Sequence, residues 1–156
     1  MTGAEQQKHL PQAASSATPP ILSTRIEGSD TAVSKALATL QAGLTSDLLP
    51  CRDDLMIVLG EALNNIVEHA LALRTDGVID LSIANVKDRV SVTIRDNGRP
   101  LPPGLLSGAD APSVDCEIDD LPEGGFGWFI LHSLADDMVY ERLEGVNELS
   151  FTLTRA

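Results

Sequence analysis

The apolar residues between Arg52 and Leu73 recur every three or four positions, which is the most regular pattern in the chain. This spacing places them on one broad face of a helix. Asp53 and Asp54 fall in the first turn, where acidic side chains complement the helix dipole. We therefore predict a helix over Arg52–Leu73 whose apolar face covers a core. That face comprises Leu55, Val58, Leu59, Ala62, Leu63, Ile66, Ala70 and Leu73.

Shorter patterns, separated by turn residues, predict the other elements. Alternation of apolar and polar residues predicts strands, at Ile21–Glu27, Val78–Val86, Arg89–Arg95, Met138–Leu143 and Glu148–Leu153. Helical spacing predicts further helices, at Ala32–Leu44, with Asp30 as the N-cap, and at Gly125–Asp136. Hairpin turns are predicted at Lys87-Asp88 and at residues 144–147.

The order of these elements predicts an α+β fold, because strands adjacent in sequence can pair as hairpins while the helices group between them. We predict a two-layer sandwich, with a mixed, mostly antiparallel sheet and three helices on one face. The long stretch Asp96–Glu123 is rich in Pro, Gly and acidic residues, and a loop of this length is typical of a functional lid or of a disordered segment. Residues 1–20 are predicted to be a disordered tail, so the domain is expected to span residues 21–156.

Charge and composition exclude several classes of partner and site. The formal net charge is −12 and the pI is about 4.4, so neither nucleic acid nor an anionic membrane is an expected partner. No apolar run approaches the ~20 residues of a membrane span, and no signal peptide is recognisable, so a cytoplasmic location is expected. Cys51 and Cys116 lie outside any CxxC or Cys/His cluster and are predicted to be reduced thiols.

Polar side chains interrupt the apolar face of the helix Arg52–Leu73. At ~100° per residue, with Ala62 at the centre of the face, Asn65 lies roughly 60° to one side and Glu61 roughly 100° to the same side. His69 lies roughly 20° from the centre. Buried polar groups need partners, so these residues either belong to a site or hydrogen-bond a neighbouring loop.

Two glycine-containing segments are the other candidates. Asp96-Asn97-Gly98 ends a predicted strand, where a carboxylate can accept a hydrogen bond from an exocyclic amine, although the same residues fit an Asx turn. Gly125-Phe126-Gly127 opens a predicted helix, whose free N–H groups favour phosphate, although a flexible hinge fits equally. The sequence contains neither a Walker loop nor the dinucleotide-binding fingerprint.

Taken in order, these segments resemble the histidine-kinase-type (GHKL, or Bergerat-fold) ATPases over about residues 21–154. The shared arrangement is Glu61-x-x-x-Asn65 on a helix, a hairpin ending in Asp96-x-Gly98, a lid, and Gly125-x-Gly127 opening a helix. Within that superfamily the chain resembles the anti-sigma-factor serine kinases, through the strings EALNNIVEHA, IRDNGRPLPP and GGFGWFILHSLADDMVYE.

The resemblance implies ATP and Mg²⁺ as ligands and a role for each candidate residue. Asn65 would coordinate Mg²⁺, and Glu61 would be the general base that activates the attacking hydroxyl. Asp96 would hydrogen-bond the adenine amine, and Gly98 would give the purine room. The backbone of Gly125-Phe126-Gly127 would approach the phosphates.

The resemblance further implies protein partners, namely an anti-anti-sigma (STAS) protein that carries the phosphoacceptor serine, a sigma factor, and in many cases a second copy of the chain. Other functions stay open. No Lys or Arg occurs between Arg99 and Arg142, and the acidic lid favours a non-catalytic nucleotide-dependent binding module. The catalytic half of a split histidine kinase is a further alternative, although His9, His69 and His132 do not lie on a helical hairpin. An α+β domain without a nucleotide site is the last.

Overall fold

The computed structural model describes residues 18–102 and 125–155. Most of the predicted N-terminal tail, most of the predicted lid and Cys116 lie outside the described residues. Cys51 lies within them and is a buried free thiol, as predicted.

Eight regular elements position the candidate residues. They are β1 (Leu22–Glu27), α1 (Asp30–Ala42), α2 (Arg52–Asn65), β2 (Val78–Val86), β3 (Arg89–Asp96), α3 (Gly125–Leu134), β4 (Asp136–Leu143) and β5 (Val146–Thr154). A 3₁₀ turn at Leu49–Cys51 leads into α2, and a π-helical turn at Ile66–Ala70 continues it.

The five strands form one sheet in the order β1-β2-β3-β5-β4. Every strand pair in the described residues is antiparallel, so the predicted α+β class is confirmed and the expectation of a mixed sheet is wrong. Hairpins connect β2 to β3 and β4 to β5, and antiparallel pairing is what short hairpin turns produce.

The core lies between one face of this sheet and the three helices. Alternate residues of β3 and β5 face it, because successive side chains of a strand point to opposite faces. Register partners in the core are Val90 and Leu153, Val92 and Phe151, and Ile94 and Leu149. The apolar face predicted for α2 is buried, except for Leu73, which is fully exposed beyond the helix.

The start of α1 and the end of α2 differ from the predicted boundaries, whereas α2 and α3 begin at the predicted residues Arg52 and Gly125. Ser29, not Asp30, caps α1, because its Oγ accepts a hydrogen bond from the Ala32 N–H at 3.1 Å. The α-helical part of α2 ends at Asn65, eight residues before the predicted end. The N–H of Leu71 then bonds the Ile66 carbonyl at 2.9 Å, which is the wider spacing of a π-helix.

The final hairpin is tighter than predicted. Its turn consists of Glu144 and Gly145, with φ of 52° and 79°. Positive φ at both central residues is typical of the two-residue turn that matches strand twist. β5 therefore begins at Val146, and Asn147 lies within the strand instead of the turn. No helix among the described residues is long and apolar enough to cross a membrane.

Candidate functional site

Asn65 is buried at the end of α2, with only 4% of its surface exposed. Its Nδ2 donates a hydrogen bond of 2.8 Å to the carbonyl of Glu61, one turn earlier. This bond orients the amide, because Nδ2 faces the helix and Oδ1 is the atom not engaged by it. Glu61 lies on the same side of the helix and is partly buried.

The π-helical turn after Asn65 is held by the loop that follows β3. The Arg99 N–H donates to the Ala70 carbonyl at 3.0 Å, and the Arg99 Nε donates to the His69 carbonyl at 3.0 Å. Carbonyls at a helix end lack partners within the helix, so these bonds satisfy them. The helix that carries Asn65 and the loop that carries Gly98 are thereby joined through backbone groups.

Gly98 packs directly against this helix end. A Cβ added to Gly98 would lie 2.3 Å from the Ala70 oxygen and 2.6 Å from its carbonyl carbon. Both are backbone atoms already held by hydrogen bonds, so they have little freedom to move. Gly98 is therefore required by the fold itself at this position.

We expect Gly98→Ala to destabilise the protein by about 2–3 kcal/mol, because overpacking against fixed backbone forces the helix end and the loop apart. Urea unfolding would measure the loss. Gly60→Ala is the matched control, since a Cβ there meets no atom within 4 Å. It lies inside α2 and should raise stability by up to ~1 kcal/mol. Equal unfolding midpoints for the two variants would contradict this packing.

Asp96 ends β3 on the core side of the sheet and is only 2% exposed. Its Oδ1 accepts hydrogen bonds from the Gly98 N–H and from Asn147 Nδ2, both at 2.9 Å. Within residues 18–102 and 125–155 no hydrogen bond reaches Oδ2, which leaves that atom as an open acceptor. Burial raises the pKa of Asp96, although the hydrogen bonds from Asn147 and Gly98 and the charges of Arg142 and Arg74 act in the opposite direction.

Asp96, Asn147 and Arg142 form a row across three neighbouring strands, which we call the Asp96 row. Asp96 is the register partner of Asn147, and Asn147 is the register partner of Arg142. Asn147 is fully buried, and its Nδ2 also donates to the Arg99 carbonyl at 2.9 Å. Arg142 Nη1 donates to Asn147 Oδ1 at 2.6 Å and to the Gly98 carbonyl at 2.9 Å.

The side chain of Asn97 holds the same loop from the other side. Its Oδ1 accepts from the Val78 N–H at 2.9 Å, and its Nδ2 donates to the Asp76 carbonyl at 3.0 Å. Arg74 donates to the Asn97 carbonyl and pairs with the Asp76 carboxylate. The loop that follows β3 is therefore hydrogen-bonded on both sides.

The structure joins some of the predicted site residues and leaves others undescribed. Asp96 and Gly98 share a hydrogen bond, as do Asn65 and the carbonyl of Glu61. The two pairs are linked where the helix end at Ala70 contacts Gly98 and Arg99. The backbone of Gly125-Phe126-Gly127 opens α3, as predicted. The side chain of Phe126 and residues 103–124 lie outside the described part of the chain.

The sequence patterns did not indicate Asn147 or Arg142. Asn147 continues the inward-facing series Leu153, Phe151 and Leu149 by one further step of two, which is a usable signal. The signal was hidden because residues 144–147 were predicted as a turn. Nothing in the sequence pattern marks Arg142 as the partner of Asn147.

A groove of about 660 Å³ lies elsewhere, between α1 and β1. It is lined by apolar and charged side chains such as Leu37, Leu40 and Lys35, and by none of the predicted site residues.

Comparison with known proteins identifies the family to which this domain is similar. A family profile described as "Histidine kinase-like ATPase domain" matches residues 26–153. Serine/threonine-protein kinase BtrW of Bordetella bronchiseptica is 33% identical over 101 residues, which are 65% of this chain and 69% of that protein. Serine-protein kinase RsbW of Oceanobacillus iheyensis is 30% identical over 95 residues, 60% of each chain.

Solved structures support the fold. The nucleotide-free catalytic domain of histidine kinase ThkA superposes with a TM-score of 0.51 at 15% identity, covering 86% of this chain and 97% of that domain. The predicted family and enzyme class are thus confirmed, and this chain belongs to the histidine kinase-like ATPase domain family, in the group of the serine/threonine-protein kinases.

Proposed function

We propose that this domain binds ATP with Mg²⁺, transfers the γ-phosphoryl group to a serine of an anti-anti-sigma (STAS) partner, and also binds a sigma factor. The observation that carries the proposal is the buried amide of Asn65, one helical turn after Glu61 and joined through Ala70 to the loop of Asp96. The serine-protein kinase relatives support the reaction class.

Adenine recognition is assigned to Asp96 because its open Oδ2 can accept a hydrogen bond from the exocyclic amine of adenine. The site is buried, so this hydrogen bond forms in a low-dielectric environment, where a charged acceptor contributes strongly. Because the missing Cβ of Gly98 faces Ala70, Gly98 would serve the purine site by letting the loop of Asp96 pack against the helix end.

Mg²⁺ is assigned to Asn65 because the amide Oδ1 is a hard oxygen ligand. The described residues contain no group of three or more His, Cys, Asp or Glu side chains that could hold a metal ion alone. Mg²⁺ commonly binds through one or two protein oxygens, with phosphates and waters completing the shell. The ion would neutralise phosphate charge when bound with ATP.

We expect Asn65→Ala to weaken the binding of ATP with Mg²⁺ by about 10–100-fold. ADP measured with EDTA should lose much less affinity, because no metal contact is then at stake. Calorimetric titration under both conditions would measure the difference. Equal losses with and without Mg²⁺ would show that Asn65 acts on the fold and not on the metal.

Glu61 is assigned as the general base. It precedes Asn65 by four residues, so the two side chains leave the same helix face and a hydroxyl beside the metal-bound phosphate lies within reach. Phosphoryl transfer depends mainly on positioning and charge stabilisation, which this pair would supply. The backbone N–H groups at the start of α3, at Gly125-Phe126-Gly127, would bind phosphate oxygens.

The test is transfer of labelled phosphate from ATP, in the presence of Mg²⁺, to a candidate STAS-type partner protein. We expect a labelled partner whose phosphate is stable in acid, as for phosphoserine. ATP binding without any transfer would contradict the kinase proposal and favour the nucleotide-dependent binding module.

The catalytic half of a split histidine kinase would have to transfer phosphate to a histidine of another protein. The Nε2 atoms of His69 and His132 are both buried, so neither can attack the γ-phosphate of a bound nucleotide without rearrangement, and His9 lies outside the described residues. An acid-labile label on a second protein would favour that alternative. The homodimer, the cytoplasmic location and the domain boundary at residue 21 stay predictions.

A further inference from the structure

The Asp96 carboxylate at the end of β3 makes no direct ion pair with a Lys, Arg or His of the described residues. Its Oδ1 is held by two N–H donors, one from the backbone of Gly98 and one from the side chain of Asn147. Of these two, only the Asn147 bond comes from a side chain and can be changed by substitution.

Asn147 is an unusual residue to bury on the core-facing side of β5, because a buried amide needs hydrogen-bond partners. It is 0% exposed, and its amide makes hydrogen bonds to Asp96, Gly98, Arg99 and Arg142. A buried amide with all its hydrogen bonds formed has a single orientation, because reversing it would place donors against donors and acceptors against acceptors. Arg142 sets that orientation, since it can only donate to Oδ1, and Nδ2 must then face Asp96.

We propose that Asn147, held by Arg142, is the residue that positions the Asp96 carboxylate for adenine, and that the Asp96 row sets the preference for adenine over guanine nucleotides. This inference rests on the proposed ATP-binding function. Asn147 is a positioning residue, because it acts through Asp96.

The donor pattern explains how the row selects a base. With Oδ1 occupied by two donors, the carboxylate presents Oδ2 purely as an acceptor. Adenine places an amine donor at C6, whereas guanine places an oxygen acceptor there, which Oδ2 would repel. Without Asn147 the carboxylate could rotate, and loss of one of its two donors would favour the protonated form, which can donate to the guanine oxygen. Burial already raises the pKa of Asp96, and the Asn147 hydrogen bond opposes that rise.

The experiment is calorimetric titration of ADP and GDP into the wild-type chain, Asn147→Leu and Arg142→Met. Leu has the same branched arrangement of four side-chain heavy atoms as Asn, with bulkier methyl groups, and removes the donor. Arg142 is exposed on the edge strand β4, and Arg142→Met removes the donor to Asn147 Oδ1. We expect ADP affinity to fall about tenfold or more in Asn147→Leu, with a smaller loss for GDP or none. Arg142→Met should change the ADP-to-GDP ratio in the same direction by a smaller factor.

The matched control is Asn85→Leu, which alters a partly buried amide of β2 whose Oδ1 has no hydrogen-bond partner within the described chain. It should leave both affinities unchanged. A merely structural role for Asn147 would lower ADP and GDP affinity by the same factor, and that result would overturn the inference. If Asn147→Leu does not fold, an unchanged ratio in Arg142→Met would overturn it. Failure of the wild-type chain to bind ADP would instead overturn the proposed function.

Discussion

Asp96→Asn is expected to abolish detectable ATP and ADP binding while making the protein more stable at neutral pH. The Asn side chain can keep Oδ1 as the acceptor for Gly98 and Asn147, so the local structure should persist. Its Nδ2, which is a hydrogen-bond donor, would then face the adenine amine, which is also a donor. A site that is built to hydrogen-bond a ligand group discriminates by about 10⁴-fold against a pairing in which that hydrogen bond cannot form.

The stability gain follows from the sign of the pKa shift. Burial raises the pKa of Asp96 in the folded state, so the folded chain binds this proton more tightly than the unfolded chain does. The ionised carboxylate therefore reduces folding stability above its folded pKa, and the reduction vanishes below the unfolded value of about 3.9. Asp96→Asn should have a higher Tm than the wild type at pH 7.5, and the difference should shrink as the pH falls towards 4.

Thermal melts across that pH range, together with nucleotide titration, would check both parts. Asp80→Asn is a suitable control, because Asp80 lies on β2 in an exposed pair with Arg25 and should affect neither nucleotide affinity nor stability strongly. A lower Tm for Asp96→Asn than for the wild type at pH 7.5 would contradict the claim that burial of the ionised carboxylate lowers folding stability. Retained ADP binding would remove Asp96 from the nucleotide site.

Glu61→Gln is expected to lower the rate of phosphoryl transfer to the STAS partner by about 10²–10⁴-fold, with ATP binding unchanged. Gln keeps the volume and the helix but cannot take a proton from the attacking hydroxyl. Asn65 donates its hydrogen bond to the backbone carbonyl of Glu61, so the substitution leaves that bond in place.

Single-turnover transfer of labelled phosphate would measure the effect, with calorimetry to confirm equal ATP affinity. Glu68→Gln is the matched control, since Glu68 is an exposed glutamate in the π-helical turn and should transfer at the wild-type rate. Normal transfer by Glu61→Gln would assign the base to another residue. Unchanged regulation of a sigma factor by Glu61→Gln would favour the non-catalytic alternative.

Local periodicity was sufficient to predict the helices and strands and the candidate site residue Asn65. Asn65 was recognisable because a polar side chain stood within an apolar helical face, and it is buried as that position requires. Asp96 was recognisable because it ended an alternating strand. Both signals depend only on neighbours within a few residues, which a sequence displays directly.

The features that periodicity missed depend on contacts between distant segments. The change from α- to π-helical bonding after Asn65 coincides with the approach of Arg99 from the far side of the β2–β3 hairpin. The role of Asn147 depends on a register that places it between Asp96 and Arg142. The Ser29 cap was missed by one residue, because Ser29 and Asp30 are equally good capping types.

The junction of Ala70 with Gly98 and Arg99 has a consequence for which ligands the protein can accept. Because the Arg99 N–H bonds the Ala70 carbonyl and Gly98 packs on the same residue, the helix end that follows Asn65 and the loop that follows Asp96 are held together by backbone contacts. Under the proposed function, the metal ion and the adenine would therefore be bound at a fixed separation. Nucleotide analogues that keep adenine and the triphosphate but lengthen the linkage between them should bind poorly, whereas changes to the exposed segment around Leu73 should leave affinity unaltered.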